Sequence, residues 1–116
     1  MVERGDLPRA IAERHAAGAL VASVCTGAML LAAAGLLEGR PATTHHTALA
    51  DLRAAGAHVV EARVVDDGDV VTAGGVTSGL DLVLWLVERH LGPALAVAAE
   101  RELEYERRGT VWRRAA

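Results

Sequence analysis

The chain has 116 residues, 52% of them hydrophobic, enough to bury one core and too few for two domains of ordinary size. Its formal charge of −3 and isoelectric point near 5.9 exclude the strongly basic footprint of an electrostatic nucleic-acid binder. The lone cysteine, Cys25, excludes an internal disulfide and a zinc site built from thiolates, and an aromatic content of 3% without Phe calls for an aliphatic core.

The first residues lack the basic-then-apolar order of a signal peptide, and the apolar stretches are short and broken by glycine. A soluble cytoplasmic protein is expected, with neither membrane nor nucleic acid as a partner of this chain. Residues 7–17 read as an amphipathic helix with Asp6 as N-cap, Pro8 in its first turn and Gly18 past its end; Leu7, Ile11 and His15 mark one face. Residues 19–24 form a short, continuous apolar run, the pattern of a parallel strand covered on both faces. Cys25 ends it, and residues 26–37 read as the following helix, stopped near Gly39.

Residues 40–45 read as an extended segment entering the sheet, and residues 47–55 as a helix with Thr47 as N-cap and Gly56 as its stop. Residues 58–60 read as a short strand. Between two β-branched runs, Asp67-Gly68 marks a primed hairpin turn and hence an antiparallel pair near residues 62–73. Asp66, Asp67 and Asp69 read as turn chemistry, because a calcium loop needs further ligands and a distant glutamate.

The glycines of residues 74–79 allow a tight passage into a helix over residues 80–90, with Ser78 and Asp81 in the form of a capping box. Neither the Walker lysine nor the dinucleotide glycine order is present, so no cofactor is expected there. Pro93 opens a last helix to about Tyr105. Residues 106–116, with Arg107, Arg108, Arg113 and Arg114, read as a charged, solvated tail. The alternation of helix and strand predicts an α/β layered sheet.

Cys25 stands at a strand-to-helix junction, where a sulfur meets the unpaired N–H groups of the next helix and is placed to act as a nucleophile. The competing reading is a small buried hydrophobe. Gly27 favours the first, since a residue without Cβ there admits another backbone or a ligand. A nucleophilic thiol needs a proton acceptor or a cationic neighbour, and the candidates are His15, His45, His46, His58 and His90. His45 and His46 lie in an extended segment whose alternate side chains face opposite ways, so the two cannot share a metal and only one faces Cys25. His45 reads equally as a strand-end histidine satisfied by the backbone. His15 and His90 read as helix-surface or helix-end residues, and His58 carries no signal.

Val24-Cys25-Thr26-Gly27-Ala28, the segment from Gly35 to His45, the segment from Val70 to Asp81 and the closing Glu104-Tyr105 together resemble the DJ-1/PfpI superfamily, over about residues 7–105. The likeness is greatest to its isocyanide hydratase branch and to the amidotransferase-like domains of some transcription regulators. The resemblance implies a flavodoxin-like, doubly wound sheet, a homodimer and a small-molecule substrate, with neither cofactor nor metal. It implies Cys25 as elbow nucleophile adding to an isocyanide carbon, a thioimidate-like intermediate hydrated to an N-substituted formamide, and the N–H groups of Cys25 and Thr26 holding developing charge.

Thr26 stands where the protease-like branch has histidine, which counts against peptidase activity. His45 matches a family histidine near the nucleophile that is not the accepted base. The family's acid/base carboxylate belongs to an earlier strand–helix–strand portion, and neither Glu3 nor Asp6 has that context. Residues 1–105 therefore read as an N-terminally truncated domain with an exposed edge strand, inactive or nearly so alone, from a shortened or mis-started reading frame in preference to a fragment that pairs with another chain or a relic. Two other functions fit the resemblance: a non-catalytic sensing domain of a transcription regulator, and a stress or redox protein in which Cys25 is oxidised to a sulfinic acid.

Overall fold

The computed structural model describes residues 6–114, the Asp6 side chain excepted, so the cap expected of that side chain lies outside the described residues. Helix α1 (Asp6–Ala16) turns out through Gly18, whose φ of 101° suits glycine, and the Ala19 N–H is spent on the Arg14 carbonyl at 3.1 Å. Closing the helix this way shortens the following strand, β1, to Val21–Ser23.

After β1 come a 3-10 turn at Cys25–Gly27 and helix α2 (Ala28–Ala33). The single helix expected over residues 26–37 is thus broken and short. Gly35, at φ 80°, reverses the chain and delivers Leu37 fully into the core. Strand β2 (Pro41–Ala42) pairs in parallel with β3 (His58–Val59), apart from the main sheet that residues 40–45 were expected to enter. It reaches that sheet through the Thr43 N–H, which donates to Thr72 Oγ1 at 2.9 Å.

Between β2 and β3, a 3-10 turn at His46–Ala48 leads into α3 (Leu49–Ala54). Thr47 is not the N-cap: the His45 ring accepts the Thr47 N–H at the head of the turn.

Strands β4 (Val64–Asp66) and β5 (Val70–Ala73) form the expected antiparallel hairpin, with Asp66 opposite Val71. Its two central residues are Gly68 and Asp69, one position later than Asp67-Gly68. Gly68 has φ 89° and Asp69 lies outside the positive-φ region, the pattern of a type II′ turn with glycine first.

Helix α4 (Val76–Leu91) begins four residues before the expected start, with Gly75 as an N-cap that offers no side chain. The predicted capping box is absent because Ser78 and Asp81 are both buried inside the helix's packed face. Helix α5 (Pro93–Leu103) follows with proline in its first turn, and Glu104 closes it in the left-handed conformation, φ 51°.

The C-terminal stretch differs from a solvated tail, since β6 (Trp112–Arg113) adds to β4 in parallel, Val65 opposite Trp112. The arginines explain why a charged segment docks: Arg107 pairs with Glu88 and Glu100, Arg114 with the buried Asp67, and Arg113 lies over the Trp85 ring.

The main sheet runs β1-β5-β4-β6, parallel in its first and last ladders. Side-chain alternation along β5 divides the core between the two faces of the sheet. Val70 joins Ala28, Leu31, Leu37 and Leu52 beneath α1, α2 and α3, whereas Val71 and Ala73 join Val64 and Leu82 beneath α4. Every residue of β5 is buried, as a strand covered on both faces requires. The α/β class and the parallel-dominated sheet expected from the sequence are present. Among the described residues, no helix is long and apolar enough to cross a membrane.

Candidate active site at the strand-to-helix elbow

Cys25 has φ 55°, a left-handed conformation that a residue with Cβ adopts at a cost of about 1–2 kcal/mol. Three hydrogen bonds from two other segments hold it there. The Cys25 N–H donates to the Gly74 carbonyl at 2.6 Å, and the Cys25 carbonyl accepts from the His45 N–H at 3.1 Å and from Thr44 Oγ1 at 2.7 Å. Both backbone groups of the residue are therefore committed, one to the β5–α4 loop and one to the loop after β2. These bonds hold the backbone of the elbow, and Cys25 is half-buried rather than sealed in the core.

The same bonds overturn one expectation. The Cys25 N–H serves Gly74 and is not free to hold a developing negative charge, and of the two expected donors this leaves Thr26, exposed on the 3-10 turn, as the candidate. The helix after the elbow is also shorter than expected, six residues after the turn, and supplies little axial dipole.

Glycines let α4 close on the elbow. A Cβ on Gly79 would stand 3.2 Å from Cγ1 of Val24, and one on Gly74 would stand 3.6 Å from the Thr44 carbonyl. Gly27, by contrast, has an ordinary helical φ and would meet only the Ser23 Cβ at 3.5 Å. No backbone of another segment lies within 4 Å of where its Cβ would stand.

His45 is joined to the elbow through its main chain. Its ring is turned to Thr47, with Nδ1 2.7 Å from Thr47 Oγ1. His45 and His46 do not face opposite ways, because the 3-10 turn begins at His46: their rings lie 4.3 Å apart at 36°. His15, expected as a surface or helix-end residue, bonds Asp69 and so ties α1 to the hairpin turn.

A cleft of about 370 Å³ opens beside the elbow, lined by Thr44, His46, Gly74, Gly75 and Ser78 among others. Two of these residues, Thr44 and Gly74, also grip Cys25, which is itself outside the lining.

Sequence reasoning missed the network behind this cleft. Arg63 pairs with the buried Asp81 at 2.6 Å, and the Tyr105 hydroxyl lies 3.2 Å from both Asp81 oxygens and donates to one of them. Asp81 thereby ties α4 to β4 and to the end of α5. The signal was available, since an acid inside the stripe shared with Leu84 and Trp85 is unstable without a partner.

The model of the DJ-1/PfpI family matches residues 5–89. The chain belongs to the DJ-1/PfpI family. Among curated relatives of this DJ-1/PfpI chain, the isonitrile hydratase of Pseudomonas putida is 46% identical over 85 residues, which is 73% of this chain and 37% of that protein. A THiJ/PfpI family protein from Pseudomonas syringae superposes with a TM-score of 0.76 at 37% identity, covering 88% of this chain and 42% of the other. An AraC family transcriptional regulator from Pseudomonas putida superposes with a TM-score of 0.79 at 26% identity, covering 89% of this chain and 57% of the other. The DJ-1/PfpI portion described here thus spans about 37% to 57% of the length of these three proteins.

Proposed function

We propose that this DJ-1/PfpI chain carries the nucleophilic half of an isocyanide hydratase-type active site, within residues 1–105. The observation that supports it is the left-handed Cys25 elbow, tied to Gly74 and Thr44, in a chain 46% identical to an isonitrile hydratase over the matched residues. In this reading the Cys25 sulfur adds to the terminal isocyanide carbon and a proton is delivered to the same carbon, giving a thioimidate. Water then adds to the C=N bond and the thiol leaves, giving the N-substituted formamide. The Thr26 N–H faces the charge that develops, and His45 holds the elbow through its main chain. The proton-transferring carboxylate lies in the part of the relatives' length that this chain does not span. The substrate is a small molecule, the working unit a homodimer, and the compartment the cytoplasm.

A graft tests the proposal: residues 7–105 replace the matched portion of the Pseudomonas putida isonitrile hydratase, and formamide release from an alkyl isocyanide is followed. Hydration is expected, and Cys25→Ala is expected to lower it by at least about 10³-fold. A folded graft that is inactive, or one indifferent to Cys25→Ala, overturns the reading.

The likeness to an AraC family regulator supports a second reading, a sensing domain without chemistry. Under that reading the graft folds, binds small molecules and turns none over. A sulfinic acid mass increase localised to Cys25 after mild peroxide, read by mass spectrometry, is expected under the redox alternative, and its absence counts against that reading.

A further inference from the structure

A cavity of about 350 Å³, away from the elbow, lies between β4, α4 and the C-terminal segment. Its apolar walls come from Val64, Trp85 and Val111, and its polar lining carries Arg63, Arg107, Arg108 and Arg113 beside Asp81 and Glu88. Two of these cations are already neutralised: Arg63 pairs with Asp81 at 2.6 Å and Arg107 with Glu88 at 3.1 Å. The other two have no carboxylate partner among the described residues. Arg113 is held over the Trp85 ring at 5.1 Å, a contact that fixes a guanidinium without cancelling its charge. Arg108 is rooted by its own N–H, which donates to the buried Asp81 carboxylate at 3.0 Å. Both are carried on a chain that sheet pairing at β6 and the Asp81 bond hold against the cavity.

We propose that this cavity is a binding site for a monoanionic amphiphile, a carboxylate on a short apolar body. Two forked guanidinium donors match a carboxylate's two oxygens, while Val64, Val111 and the Trp85 ring accept a hydrocarbon chain. The volume lies in the range of small-ligand pockets. Arg63 also lines the cleft beside the elbow, but Trp85, Arg108 and Arg113 do not, and the site stands whether or not the hydratase reading holds.

The probe is octanoate, titrated calorimetrically into the full chain and mapped by the NMR shift of the Trp85 indole N–H. Saturable binding is expected, with octanol and octylammonium at least about tenfold weaker, a difference of about 1.4 kcal/mol. Arg108→Gln, at an exposed side chain, is expected to weaken octanoate about tenfold with unchanged far-UV circular dichroism, while Arg53→Gln on α3 leaves it unaltered. Octanol binding as tightly as octanoate, an Arg108→Gln variant that binds normally, or shifts that bypass Trp85 each overturn the proposal.

Discussion

Asp67 is buried between two guanidinium groups, with Arg40 Nε 2.6 Å from one carboxylate oxygen and Arg114 on the other. Burial pushes its pKa up, but the bonds from Arg114 and Arg40 outweigh burial and hold it below the usual carboxylate range. Its neighbour Asp69 is likewise held low, chiefly by Arg40, with burial opposing and His15 assisting. A carboxylate whose folded pKa is depressed contributes stability that is fully present above its unfolded value, about 3.9, and is lost as pH falls through the folded value. Arg40→Ala is therefore expected to cost about 2–3 kcal/mol at pH 7, the low side for a broken buried pair because Arg114 remains. Urea denaturation at pH 7 and pH 2 checks this, with the deficit shrinking in acid; a deficit independent of pH would mean that packing, not charge, carries the effect. The three aspartates were legible in the sequence as turn chemistry. Their partners were not, because Arg40 and Arg114 are brought to the hairpin only by the fold.

At the scale of elements, the hairpin and the elbow depend on backbone angles more than on contacts. A Cβ on Gly68 would meet nothing within 4 Å, so Gly68→Ala isolates the conformational term at φ 89°. A cost of about 1–2 kcal/mol is expected by chemical denaturation; a variant as stable as the parent would show that the turn shifts register at no cost. The hairpin was readable because the aspartate–glycine signal is local. Its centre was misplaced by one residue because cross-strand registry, Asp66 opposite Val71, decides which residues are left to turn. The start of α4 was missed for a related reason: Ser78 and Asp81 have capping chemistry, but Gly74 and Gly75 let the chain enter the helix earlier, and tertiary packing buries both side chains. Strand β6 carried little periodic signal, being two residues within a charged segment.

Across the whole molecule, β1 stands at the edge of the main sheet, with Ala22 exposed and no strand among the described residues on its outer side. An unpaired edge beside the exposed Val24 is a template for association. Concentration-dependent self-association is expected by sedimentation velocity, and Ala22→Lys is expected to weaken it about tenfold, or about 1.4 kcal/mol. Sedimentation as a monomer throughout would show that the edge is already protected, and association unmoved by the lysine would place it on another surface. The α/β class and the strand-to-helix junction at Cys25 were written in local features of the chain: short apolar runs, glycine stops and one cysteine between a strand and a helix. The family was legible only as a resemblance of the segments around Cys25, from Gly35 to His45 and from Val70 to Asp81. What only tertiary structure decided is who holds what. Gly74, Thr44 and His45 converge on Cys25 from separate loops, Asp81 draws Arg63 and Tyr105 to one point, and a charged C-terminal segment becomes an edge strand. Such pairings depend on distances between residues far apart in the chain, and periodicity along the sequence carries no measure of those.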